Sequence, residues 1–150
     1  MIDCADRLRA LGEIKTLPDP VLFSPFMLAR IFAETGPIND FVSCRKLLRY
    51  AGMNIRTKQS GLQKGKDKQS KKGRCRLRSV LAQASLRLVV KNGLYGDYYH
   101  AKKAQGMPGL VAISAVARKL LKLLYGLEKS GGAFDKARVF CCESQYMPAA

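Results

Sequence analysis

The chain is short of acids. Eleven carboxylates stand against 27 lysines and arginines in 150 residues, a formal net charge of +16. A small domain normally carries far less. Such a surplus repels itself in the compact state unless polyanions offset it. The few acids form no paired constellation. Glu34, Asp40, Asp97, Glu128 and Asp135 are dispersed, and Asp3 and Asp6 are only three residues apart near the start. No metal site suggests itself. Histidine is scarcer still, with His100 alone. The five cysteines, Cys4, Cys44, Cys75, Cys141 and Cys142, include no Cys-x-x-Cys pair. They read as reduced thiols in a reducing compartment. Apolar runs are short and broken by Arg or Lys, so none spans a bilayer. The opening Met1-Ile-Asp-Cys-Ala-Asp6 is not the basic start of a signal peptide, which points to the cytoplasm. Nucleic acid is therefore the first candidate partner, and a membrane is not expected.

What the chain does have is enough apolar residue, 47%, for one ordinary globular domain with a modest core. The spacing predicts a weak helix up to about Leu17, capped by Asp3 or Asp6. Pro18 and Pro20 break it, and Pro25 suits the first position of a new helix. That helix runs from Phe26 to about Thr35 and stops at Gly36. A short helix with Leu47, Leu48 and Tyr50 follows, with Asn39, Asp40 or Ser43 as cap and Gly52 as stop. A third carries Leu77, Val80, Leu81, Ala84 and Leu88 and stops at Asn92-Gly93. A fourth carries Tyr95, Tyr98, Tyr99 and Lys102 and ends near Gly106. The fifth spans Leu110 to about Lys129, with Val111, Ser114, Ala117, Leu121, Leu124 and Leu127 toward the core and Arg118, Lys119 and Lys122 outward. The tail after Phe140 has no period. No strand pattern of useful length appears. The expected fold is mainly α, a compact multi-helix domain with a basic, mobile loop.

That loop runs from Arg56 to Arg78 and holds one acid, Asp67. Its glycines and polar spacing read as a loop or short hairpin. Arg56, Lys58, Lys64, Lys66, Lys68, Lys71, Lys72, Arg74, Arg76 and Arg78 are the candidate nucleic-acid contacts. Neutralising phosphates with such side chains releases counterions and gives salt-dependent affinity without sequence preference. Ser60-Gly61 sits near its head. A serine hydroxyl is a poor nucleophile unaided, but cations such as Arg56, Lys58 and Lys64 could stabilise the negative transition state at phosphorus. Ser-Gly in a loop is common, and the residues alone leave Ser60 an ordinary loop serine. Tyr50, Tyr95, Tyr98 and Tyr99 could stack on bases, although their helical spacing favours packing.

An ordered set of short motifs says more. Ala33-Glu-Thr-Gly36, Phe41-x-Ser43, Arg49-Tyr-Ala-Gly52, Gln59-Ser-Gly61, Ser70-Lys-Lys-Gly73, Leu77-Arg78, Asn92-Gly93, Tyr99 and Ala115-x-Ala-Arg-Lys-Leu-Leu121 follow one another over residues 33–135. This order resembles the C-terminal transposase domain of the insertion-sequence one-ten family, which includes pilin-inversion-type DNA invertases and bridge-RNA-guided recombinases. The resemblance divides the chain into a degenerate preceding segment, 1–24, a transposase-like domain, 25–140, and a frayed tail, 141–150. Three positions depart from the family pattern. Val21-Leu-Phe-Ser-Pro25 lacks the glycines of the helix-hairpin-helix turn, Ile55 stands for a proline, and Arg74 stands for an asparagine.

The resemblance implies DNA strand exchange in the transposition of an insertion sequence. DNA is then the partner, with a guide RNA in some members and a homo-oligomer as the working form. The family serine falls on Ser60, which becomes the inherited nucleophile. In that family an acidic RuvC-like domain holds Mg²⁺. The N-terminal acids of this chain do not match that tetrad, so no cofactor is expected here and Mg²⁺ only with such a domain supplied in trans. Two readings follow. One is a truncated or separately encoded transposase fragment, inactive alone. The other is a non-catalytic nucleic-acid-binding module left by decay of a mobile element.

Overall fold

A computed structural model describes residues 24–56, 59–60, 63–64, 68–91 and 93–131. The expected N-terminal helix and the tail after Phe140 lie outside these residues. Among the described residues there are five α-helices, as the periodicity predicts: α1 (Pro25–Thr35), α2 (Cys44–Tyr50), α3 (Cys75–Lys91), α4 (Gly93–Ala104) and α5 (Gly109–Ser130). A 3₁₀ turn, Ile38–Asp40, joins α1 to α2.

Local chemistry sets the helix ends. Pro25 opens α1, where its missing N–H costs nothing. Ser43 caps α2, its hydroxyl accepting from the Lys46 amide at 3.3 Å. Gly36 and Gly131 follow α1 and α5, each amide returning to the carbonyl four residues back. The third helix stops at Asn92-Gly93 as expected, ending at Lys91, and Gly93 is also the first residue of α4, so α3 and α4 are almost continuous in sequence.

The apolar faces meet around α3 and α5. The former packs against α1, α4 and α5, and the latter also against α2 and the 3₁₀ turn. Leu28, Ile31, Leu47, Leu77, Leu81, Leu120, Leu121 and Leu124 are almost wholly buried in one cluster. Each such side chain contributes roughly 1.5–3 kcal/mol relative to exposure. Tyr95 is completely buried, and burial pushes its hydroxyl pKa up. It belongs to the core and offers no face for stacking.

The face of α5 departs from expectation. Val111 is exposed and Ser114 only partly covered, while Ala112, Ile113, Ala115 and Val116 are buried. The buried series 113, 116/117, 120/121, 124 and 127 puts the larger Ile113, Val116 and Leu120 inward. Arg118 also differs from an outward residue. It is half-buried, and desolvation lowers its guanidinium pKa from the ordinary value.

The basic stretch takes the hairpin alternative. β1 (Ile55–Arg56) pairs antiparallel with β4 (Lys68–Gln69), Ile55 opposite Gln69 and Arg56 opposite Lys68. β2 (Gln59–Ser60) pairs antiparallel with β3 (Gln63–Lys64), Gln59 opposite Lys64 and Ser60 opposite Gln63. Between the two ladders the sequence has two residues on the way out, Thr57 and Lys58, and three on the way back, Gly65, Lys66 and Asp67. The ladders are thus registered one residue out of step.

Candidate nucleic-acid interface

The ribbon is rooted on the helical body by backbone. After α2 the chain turns at Gly52, whose φ of +69° favours glycine. The return strand runs back past it. Ser70 N–H donates to Asn54 O at 2.9 Å, Lys71 N–H to Gly52 O at 3.1 Å, and Arg74 N–H to Tyr50 O at 2.8 Å. Gln69 Nε2 also donates to Gly52 O, at 3.2 Å. Gly73 lies so close to this turn that a Cβ on it would strike the Gly52 backbone and the Tyr50 carbonyl oxygen. Only hydrogen at that position lets the two strands of the root touch. Lys71 pays a local strain, its φ of +52° being the left-handed region a lysine rarely adopts.

Side chains lock the same root. Arg74 Nε donates to Glu34 Oε2 at 2.7 Å, and its Nη1 donates to the Tyr50 hydroxyl at 2.9 Å. These bonds, that with Tyr50 foremost, hold the Arg74 guanidinium pKa above its ordinary value. The ion pair lies at the surface, where solvent screens it, so its effect is on position more than on stability. Arg78, half-buried, donates from Nη1 to Ala51 O at 3.2 Å. The Tyr50 ring sits 5.4 Å from that of Phe41, which ties the root to the segment before α2.

The ten basic candidates therefore separate by place. Arg56 and Lys68 face each other across the β1–β4 ladder next to the root, and both are exposed. Lys71, Lys72 and Arg76 are exposed near or just beyond the root. Arg74 and Arg78 are engaged with the protein itself. Lys58 and Lys66 lie outside the described residues. The backbone of Lys64 stands opposite Gln59, one step from Ser60. Ser60 is the last paired residue on the outgoing strand, with only Gly61 and Leu62 between it and its partner Gln63.

Among the described residues no group of three or more His, Cys, Asp or Glu could hold a metal ion. Their acids are Glu34, Asp40, Asp97 and Glu128. The first bonds to Arg74, and Glu128 is buried, accepting from Asn39 Nδ2 at 3.4 Å. This donor set does not fit the magnesium site that the family resemblance implies. No helix among the described residues is long and apolar enough to cross a membrane.

Tyr98 and Tyr99 are partly buried on α4, and lysines rather than open space cover their rings. Lys119 Nζ lies 4.7 Å and Lys102 Nζ 5.4 Å from the Tyr98 ring centre, and Lys103 Nζ lies 5.9 Å from that of Tyr99. His100 is exposed at the edge of the Tyr99 ring. Arg30 on α1 is a cation that sequence reasoning missed, because it stands alone in an apolar stretch. It meets α3 through Gln83, 53 residues away.

The molecule is thus a helical body carrying a two-stranded ribbon whose sequence is rich in lysine and arginine. The family is specific. Residues 23–100 match the model of the family described as Transposase IS116/IS110/IS902, and the chain belongs to that family. The matched stretch covers α1, α2, the ribbon, α3 and most of α4, while α5 lies beyond it. No curated protein matches the chain. At the level of the family its role is DNA transposition, with DNA as the partner.

Proposed function

We propose that the ribbon is the DNA-contacting part of this domain and that Ser60 is its nucleophile. The observation that carries the reading is the position of Ser60. By resemblance Ser60 falls on the serine of the family's Gln-Ser-Gly motif, and its backbone pairs with Gln63, with only Gly61 and Leu62 between them in the chain. A ribbon of this kind reaches a duplex backbone, and its lysines and arginines bind phosphates without regard to sequence.

In the proposed step Ser60 Oγ attacks a backbone phosphorus. A phosphoserine ester bond forms as one P–O bond to a sugar breaks. The serine proton goes to a base, and the departing sugar oxygen takes up a proton to become a free hydroxyl. The phosphoserine ester conserves the bond energy, so a second DNA hydroxyl can reverse the step without ATP. The cations along the ribbon stabilise charge on the phosphoryl oxygens. The described residues give magnesium no site, and no step of this reading passes through it. An acidic RuvC-like domain in trans is the proposed source of metal-assisted chemistry, and a homo-oligomer is the proposed working form.

The test is covalent capture. The full chain is mixed with duplex DNA, Mg²⁺ and a polypeptide carrying the acidic domain, then denatured and separated. The wild type is expected to retain DNA on a phosphoserine and Ser60→Ala to retain none. Equal adduct from both would remove Ser60 as nucleophile. Salt-dependent binding with no adduct from either would leave the chain as a non-catalytic DNA-binding module.

A further inference from the structure

The seam between α1 and α3 carries cations that are not part of the ribbon. Phe26, Arg30 and Glu34 follow at four-residue steps along α1. Arg76, Ser79, Val80 and Gln83 follow at three- and four-residue steps along α3. Residues so spaced share one helix face, and here the two faces meet. Arg30 Nη1 donates to Gln83 Oε1 at 3.0 Å, and its guanidinium carbon lies 5.8 Å from the Phe26 ring centre. A cleft of about 250 Å³ opens beside this contact, lined by Arg30, Ala33, Glu34, Arg76, Ser79 and Val80.

The charge of the cleft is one-sided. Its single carboxylate, Glu34, already accepts from Arg74 at the ribbon root. Two guanidinium groups, Arg30 and Arg76, line the cleft with this acid, and a third, Arg74, is bonded to it from the ribbon root. Guanidinium groups present planar, paired donors that suit phosphate oxygens. Ser79 adds an exposed hydroxyl on the same wall. The ion pair of Glu34 with Arg74 makes the cleft continuous with the root of the ribbon.

We propose that this cleft seats one backbone phosphate of the DNA that the ribbon contacts, with Arg30 and Arg76 as its principal donors. The inference rests on the DNA-contacting reading of the ribbon. It adds a second point of contact on the helical body, which fixes the direction in which the duplex leaves the ribbon. Arg30 and Arg76 are binding residues in this account and take no part in bond breaking.

The experiment measures binding of the full chain to duplex DNA of arbitrary sequence over a series of salt concentrations. Replacing both arginines, Arg30→Gln with Arg76→Gln, should lower the slope of log affinity against log salt by about 0.9, the release expected for one phosphate. Arg30→Lys with Arg76→Lys should keep the slope and lose part of the affinity. Arg87→Gln, on α3 outside the cleft, should leave the slope as it is. Thermal unfolding checks that the variants fold, and the exposed single variant Arg76→Glu gives a second reading if the double variant does not. It should weaken binding beyond the loss from Arg87→Glu. An unchanged slope in the double glutamine variant, or a loss confined to duplex RNA, would overturn the cleft. A wild type whose affinity ignores salt would instead overturn the reading of the ribbon.

Discussion

The helical body and the ribbon are built on opposite terms. The body hides its apolar side chains, and α3 and α5 meet through Leu77, Leu81, Leu120, Leu121 and Leu124. The ribbon is held by a few ladder bonds and by main-chain contacts at its root. The difference teaches where sequence change is tolerated. In the body, volume and apolarity decide. In the ribbon, charge decides, and its placement depends on little beyond Gly52, Gly73 and the Arg74 contacts.

Substitutions can break this comparison, and the largest effect belongs to the body. Leu120→Ala empties a fully buried position on α5. It should cost about 2–5 kcal/mol in chemical unfolding, with DNA affinity lost only through unfolding. A smaller and more informative effect belongs to Gly73→Ala. The added methyl meets backbone that cannot move aside cheaply, so about 1–3 kcal/mol should be lost. Because the displaced atoms are the root of the ribbon, DNA affinity should fall even under conditions where the protein remains folded. If unfolding shows the loss and binding by the folded protein does not, the root does not position the ribbon.

The sequence showed the body more clearly than the ribbon, for physical reasons. Helix periodicity reports on side chains of one element, so Pro25, Ser43 and the face of α3 were legible. In α5 the apolar residues nearly encircle its first turns, and the period did not distinguish Val111 and Ser114 from Ile113 and Val116. The join at Gly93 was not legible because a glycine that ends one helix and one that begins the next look alike. The hairpin was one of two open readings, since two-residue ladders leave no alternation to detect. The Arg74 contact to Glu34 spans 40 residues, and that of Arg30 to Gln83 spans 53. Pairings of that length are fixed by the fold alone. Ser60 stood out only through its motif, and the register pairs its backbone with that of Gln63.

The central claim is that the ribbon binds DNA and the body supports it. The most direct test replaces Lys64, Lys66, Lys68, Lys71 and Lys72 together with glutamine and measures duplex binding across a salt series. The account predicts a fall in the salt slope of about 4.5, the release expected for five phosphates, with an unchanged unfolding midpoint. A slope equal to that of the wild type, in a variant that remains folded, would contradict it.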